Sequence, residues 1–383
     1  MNPRITRDEL LRRGAAAGVL LSFPALFTAC GGGDGDGGGG DQELRQVLNF
    51  ANWPLYIDVN EETNQRPTLE QFTDQTGIRV NYFEEINDND EYFAKIQGPL
   101  SQGQGIDRDI VVFTDNSRYP GLFIEQGWVQ QLDKELIPNI ENLIDAQTSP
   151  PFDPEREYSL PWQSGMTGIA WNEELTGPVE SVEQLLEDPN LKGKVSMLLE
   201  MADSVGLVML ANGDDPATVT DESFTAAADR VQAAVDSGQV VRFTGNDFAQ
   251  PLTQGEFAAS VAWSGDMIQL LADNPRLKWA VPTDGGMIWT DNMFIPTGGS
   301  VPTASTFMNF VYDPVVAAQI AAYVNYVPAV EGVKEELTKI DPGLASNTLI
   351  IPDDALLSQL HQYDSAALNN EEHLTRWQTV RGQ

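Results

Sequence analysis

Apolar and polar positions recur in a regular order along the first third of the chain. Residues 47–50 read as a short strand. Residues 68–76 carry helical spacing and stop at Gly77, where a helix end wants a residue of positive φ. A strand at 78–83 follows, then a short apolar strand at 109–113 and a helix at 117–126 closed by Gly127. Strand–helix–strand alternation predicts an α/β fold whose sheet is mostly parallel and covered by helices. The second half repeats the logic, with strands at 194–199, 240–243, 258–263 and 277–281. Residues 203–210 are predicted helical, as are 303–311 and 314–323. The helix at 221–235 is amphipathic, with Phe224, Ala228, Val231 and Val235 near helical spacing and Thr220 as its N-cap. Linker-like segments at 150–154 and 296–300 lie far apart, which suits two lobes joined by more than one crossing of the chain.

One strand breaks the pattern. Residues 285–296, GGMIWTDNMFIP, read as a buried strand with Asp291 in its middle. A carboxylate there must be hydrogen-bonded, paired with a cation, or exposed at a bend. One reading is a satisfied structural Asp at a strand break. The other is that its partner is a ligand.

Composition narrows the class. The chain has 383 residues, a length that suits two domains, and 41% of them are hydrophobic. Its net charge of -35 leaves no basic surface for phosphates, so nucleic acid is not an expected partner. It suits a solvated surface and concentrates cations. Arg4, Arg7, Arg12 and Arg13 precede the apolar run 15–29, too short to span a membrane as a mature helix. Residues 1–29 are therefore expected to be a signal peptide. Phe27-Thr28-Ala29-Cys30 resembles a bacterial lipobox, which implies lipid on Cys30 after cleavage. Residues 30–46 then form a Gly-rich tether. Cys30 is the only cysteine, so an internal disulfide is excluded.

Catalytic and metal signatures are scarce. The two histidines, His361 and His373, lie in a polar C-terminal region, and there is no HExxH, CxxC, GxSxG or Walker loop. No His/Cys cluster or EF-hand loop is visible, so neither cofactor nor metal is expected. Three clusters of aromatic and polar residues remain: Asn52-Trp53-Pro54-Leu55-Tyr56, Trp263-Ser264-Gly265-Asp266 and Trp289-Thr290-Asp291. All three sit at or near predicted strand ends, where open α/β sheets bind ligands. Carboxylates for the charge and aromatic faces for the methylenes are what an organic ammonium needs. Two other readings stay open: a neutral sugar or other solute on the same fold, and a secreted carboxylate-pair glycosidase.

Further motifs carry a resemblance: Phe72-Thr73-x-x-Thr76-Gly77-Ile78-x-Val80, Tyr92-x-Ala94-Lys95, Asp109-Ile110-Val111-Val112, Pro151-Phe152-Asp153-Pro154 with Tyr158-Ser159-Leu160-Pro161, and Asn325-Tyr326-x-Pro328. Together with the three clusters they resemble the spermidine/putrescine-binding proteins of bacterial ABC importers, from about residue 47 to 383. The resemblance implies a two-lobed periplasmic-binding-protein-like fold (type II) with the ligand cleft between lobes. It places lobe 1 at 47–165 plus 292–334 and lobe 2 at 166–291 plus 335–383. It implies capture of a polyamine, putrescine or spermidine, and not catalysis. The partners it implies are a membrane permease and, through the lipid on Cys30, the membrane itself. The chain would be a monomer in the periplasm or on the outer face of the cytoplasmic membrane. By the same resemblance Asp291 and Asp266 meet ammonium groups, Trp53, Tyr56, Trp263 and Trp289 wall the slot, and Tyr326 and Thr114 add polar contacts. Thr114 stands where the family has Ser, and Asn116 where an aromatic often follows. In 199–205 the family carries ligand carboxylates. Glu200 and Ser204 occupy this segment, with Asp203 between them and Ser204 where an acid is expected.

Overall fold

A computed structural model describes residues 44–60 and 62–382. The expected signal peptide, most of the expected tether and Cys30 lie outside the described residues. The first unit is β1 (Val47–Asn52), α1 (Pro67–Thr76), β2 (Arg79–Glu84), α2 (Asn89–Ser101), β3 (Ile110–Thr114) and α3 (Tyr119–Glu125). α1 starts with Pro67, whose missing N–H costs nothing at a helix start, and ends at Gly77 with φ 75°. Three strands follow in the middle of the chain: β4 (Ser159–Asn172), β5 (Val195–Leu198) and β6 (Val240–Thr244). Between the last two run α4 (Met201–Asn212) and α5 (Asp221–Asp236), the latter opened by a Thr220–Ser223 capping box. Then come β7 (Ala259–Trp263), α6 (Ser264–Asp273), β8 (Leu277–Ala280) and β9 (Gly286–Phe294). The pair α7 (Val301–Val311) and α8 (Pro314–Val324) precedes a C-terminal α9 (Glu371–Arg381), with shorter elements between.

Among the described residues the strand order is β2-β1-β3-β9-β4-β7-β5-β6, with β8 also on β4. The alternation in the sequence predicts a mostly parallel sheet, and this holds only toward the two ends. β1 pairs in parallel with β2 and β3, and β5 in parallel with β6 and β7. The middle is antiparallel: β3 with β9, β9 with β4, and β4 with β7 and β8. The difference comes from β4, which has no counterpart in the sequence reading. All 14 of its residues are buried, so it lacks the alternation that marks a half-exposed strand. β3 meets only the far part of β9, from Asp291 to Phe294, while β7 meets only the far part of β4, from Thr167 to Trp171. β4 and β9 therefore run through both ends of the molecule. No described helix is long and apolar enough to cross a membrane.

The start of β4 is locked to β9 by a buried cation. Arg156, 3% exposed, sends Nη1 to Asn292 Oδ1 at 2.8 Å and to Ser159 Oγ at 3.0 Å, and Nε to the Gln147 carbonyl at 2.8 Å. Asp153 accepts the N–H groups of Glu157, Tyr158 and Ser159 just before it. Two glycines then let bulky rings lie on β4. A Cβ at Gly165 would stand 2.5 Å from the Trp289 ring, and one at Gly168 would stand 2.7 Å from the Trp279 ring.

Candidate ligand-binding site

Each end of the sheet offers the carboxyl ends of its parallel strands to the same space, and the loops there carry the polar residues. Trp53, Pro54 and Tyr56 follow β1, and Thr114 and Asn116 end β3. Glu200 and Asp203 follow β5, Asn246 follows β6, and Trp263 and Asp266 join β7 to α6. Trp289 and Asp291 come from β9 and Tyr326 from the turn after α8. These line one cavity with about 350 Å³ of unfilled space including its mouth. The facing aromatic rings leave it a narrow slot.

The aromatic wall is continuous. Trp53 meets Trp263 edge-on at 5.8 Å between centroids, Trp263 meets Trp289 at 6.1 Å, Trp289 meets Tyr326 at 5.7 Å and Tyr326 meets Tyr56 at 5.0 Å. Two indoles are fixed by hydrogen bonds: Trp263 Nε1 donates to Asp203 at 3.0 Å, and Trp289 Nε1 donates to Thr167 Oγ1 at 2.9 Å. The Trp53 Nε1–H is buried without a partner.

Asp291 lies inside an unbroken strand and not at a bend. It is 2% exposed, and it accepts from the Thr114 hydroxyl on one oxygen and the Tyr56 hydroxyl on the other, both at 2.7 Å. Burial pushes its carboxyl up to about 7. The two hydroxyl bonds work against that rise, while the charges of Asp115 and Asp203 add to it. Asp266 accepts from Tyr326 at 2.8 Å and from Asn246 at 3.4 Å, both on Oδ2, and burial takes it to about 6. Asp203 takes three donors, from Thr167, Asn116 and Trp263, and burial takes it to about 6 as well. Burial also raises Glu200, with the Asp90 and Asp88 charges adding to it. Tyr56 and Tyr326 are pushed up, first by burial and then by the Asp291 and Asp266 charges respectively, so their hydroxyls stay protonated and donate. Among the described residues none of the four slot carboxylates forms an ion pair.

The structure brings Trp53, Tyr56, Thr114, Glu200, Trp263, Asp266, Trp289, Asp291 and Tyr326 to this slot, and leaves Ser204 out of it. Ser204 is in the first turn of α4, fully buried, and its hydroxyl donates back to the Leu198 carbonyl at 2.7 Å. Its side chain turns back to its own backbone, and the acids of this segment that line the slot are Glu200 and Asp203. Pro54, Asn116 and Asn246 also line the slot. Asn246 was absent from the sequence reading. The available signal was its place two residues past β6, at a strand's carboxyl end.

The glycine in Trp263-x-Gly265-Asp266 has a packing cause. A Cβ there would lie 2.2 Å from the Tyr326 ring. Gly265→Ala is therefore expected to displace Tyr326 from Asp266, at an overpacking cost of about 1–3 kcal/mol in stability. Solute affinity should fall about tenfold in a calorimetric titration. A variant that binds as tightly as the parent would show that Tyr326 does not support the site.

Two α/β halves with a ligand slot at their strand ends define an extracytoplasmic solute-binding protein of the two-lobed periplasmic type. Residues 68–347 match the family described as bacterial extracellular solute-binding protein, and the chain belongs to it. It is a solute-binding protein and not an enzyme, which sets aside the glycosidase reading. Its relatives include the spermidine/putrescine-binding periplasmic protein of Escherichia coli K12, 26% identical over 88% of this chain and 87% of that one. Among solved structures, a putative spermidine/putrescine ABC transporter from Listeria monocytogenes superposes with a TM-score of 0.73 at 24% identity, over 88% of this chain and 98% of that one. AgtB from A. tumefaciens R10, in complex with agropinic acid, superposes with a TM-score of 0.72 at 16% identity, over 89% of this chain and all (100%) of that one.

Proposed function

We propose that the chain captures a polyamine, putrescine or spermidine, and delivers it to its permease. The observation that carries this reading is a slot of buried carboxylates without cationic partners, walled by three tryptophans and two tyrosines. Burial has raised these acids toward neutrality, so an organic cation relieves the cost of ionising them. The ring faces suit a methylene chain and add about 0.5–2 kcal/mol of cation–π attraction. The E. coli relative is named for the same amines.

A thermal-shift panel tests it, with putrescine, cadaverine, spermidine, spermine, choline and sugars at moderate salt. A ligand at 100 times its dissociation constant stabilises by about 2.7 kcal/mol, and the midpoint should rise by several degrees. Moderate salt suppresses loose binding to so acidic a chain. No shift with any amine, or one that vanishes with salt, would reject the polyamine. A shift with another solute would then select the second reading, which the AgtB fold with agropinic acid keeps in view.

The resemblance places the lobes at 47–165 plus 292–334 and 166–291 plus 335–383, and these limits are proposed except at the last crossing. Support comes from the change of neighbours along β4 and β9 near Gln163 and Asp291. The helix Val333–Ile340 packs on α8, which moves the proposed last crossing beyond residue 340. Lipid on Cys30 is proposed as the membrane anchor. Cys30→Ser is expected to move the protein from the membrane fraction to the soluble one on immunoblots. Retention of that variant in the membrane would refute the anchor.

A further inference from the structure

The loops beyond the two outermost strands meet over the slot. β2 forms one edge of the strand order and β6 the other. Yet the N–H of Asn246, just past β6, donates to the carbonyl of Asn87, just past β2, at 3.0 Å. The approach is so tight that a Cβ on Gly245 would lie 2.2 Å from that carbonyl oxygen. Beside this seam, Asn89 at the first position of α2 meets Glu200, which follows β5. The backbone N–H and the Nδ2 of Asn89 both donate to Glu200 Oε1, at 3.1 and 2.8 Å. Two ion pairs, Arg381–Asp90 and Arg118–Glu371, cross at the same place. Their acids are 50% and 79% exposed, so they hold the seam weakly.

Asn89 is fully buried and has a second set of partners. Its Nδ2 also donates to Thr114 Oγ1 at 3.1 Å, and its Oδ1 accepts the Thr114 N–H at 3.2 Å. The amide cannot sit the other way round, because its oxygen would then face the Glu200 carboxylate and its nitrogen the Thr114 N–H. A threonine hydroxyl carries one proton. Since Thr114 Oγ1 accepts from Asn89, that proton is left for Asp291 Oδ1, 2.7 Å away. Glu200, Asn89, Thr114 and Asp291 thus form one unbroken line from the seam to the slot. Asn89 itself does not line the slot.

We propose that Asn89 is a positioning residue that ties closing of the cleft to the setting of Asp291 for the ligand. When the seam parts, Asn89 loses Glu200, its amide is freed to turn, and the Thr114 proton is no longer committed to Asp291. When the seam shuts, one side chain bridges the two halves and orients the donor on the ligand carboxylate. The proposal rests on the slot being the solute site. It does not need the solute to be a polyamine.

The test compares the full-length parent chain with Asn89→Ala, followed by tryptophan fluorescence in stopped flow with putrescine. Losing hydrogen bonds to a charged group corresponds to about a tenfold or larger rise in the dissociation rate. The association rate should stay within about threefold, because the ligand enters while the seam is open. Small-angle X-ray scattering without ligand should give a larger radius of gyration for Asn89→Ala. Gly245→Ala is the second variant: the three heavy atoms nearest the added methyl all belong to Asn87, and it should part the seam with the same two effects. Parent-like release rates and parent-like radii in both variants would overturn the proposal. So would a lower melting temperature in Asn89→Ala with an unchanged release rate, which marks a merely structural role. If putrescine gives no signal with the parent, the polyamine reading fails instead. The scattering comparison then decides alone, larger radii supporting the link and unchanged radii rejecting it.

Discussion

Asp291→Asn is expected to weaken diamine binding at least tenfold while leaving the fold intact. The substitution keeps the shape but leaves one oxygen, so Thr114 keeps its acceptor while the Tyr56 hydroxyl turns to accept from the new amide NH2. What is removed is the charge. A hydrogen bond between charged partners contributes about 1.5–3 kcal/mol, which corresponds to a factor of about ten to 150 in affinity. The ligand-free variant should also melt higher than the parent at pH 8, because it no longer buries an anion without a cation. Calorimetric titration and a melting curve check the two arms. Equal affinity in parent and variant would remove Asp291 from the binding site.

Binding and stability should respond to pH in opposite directions. A cation binds the ionised carboxylates, and the ligand's amines, ordinary alkylamines with pKa near 10, stay charged throughout. Asp291 sits at about 7 without ligand, so at pH 5.5 it is mostly protonated and at pH 8 mostly ionised. Displacing that proton makes binding about 30-fold weaker at pH 5.5 than at pH 8, and Asp266 and Asp203, each at about 6, steepen the effect. The sign for ligand-free stability is the reverse. These folded carboxyls bind protons more tightly than the unfolded chain, whose Asp value is near 3.8. Between about pH 4 and pH 7 the folded state therefore holds the extra proton. Stability falls across that window by up to about 1.4 kcal/mol per pH unit for each such group. The melting temperature of the free protein should drop from pH 5.5 to pH 8, and the shift produced by a diamine should grow. Affinity independent of pH over this range would mean that the slot acids are already ionised before the ligand arrives.

Much of this site is legible in the sequence because three of its parts are contiguous. A tryptophan and its polar neighbours leave a strand together at 53–56 and 263–266, while Trp289, Thr290 and Asp291 lie together inside β9. The helices with glycine or Thr/Ser caps are legible for a similar reason, since the cap lies next to the helix it ends. β4 is not, because burial on both faces erases its alternation and its glycines look like turn residues. Nor is the role of Asn89 or Asn246. Each makes its decisive contacts with residues 20 or more positions away, and neither belongs to a motif that announces a partner. Ser204 illustrates the opposite case: it stands where the family resemblance expects an acid, but one turn of helix points it at the carbonyl of Leu198.

β4 and β9 together have a mechanical consequence. They form a ladder, register Ser159↔Phe294 to Thr167↔Met287, that continues through the middle of the molecule without a loop and is joined at Gln163 and Ser164 by the short strand Val327–Pro328. Movement of the halves about this region must flex that ribbon like a leaf spring, since no swivel lies in line with it. The backbone bonds stay made while the ribbon bends, so the motion carries no penalty for unpaired peptide groups, and its limit is set by elasticity. The irregularity between Pro161 and Gln163 is where such a spring is softest.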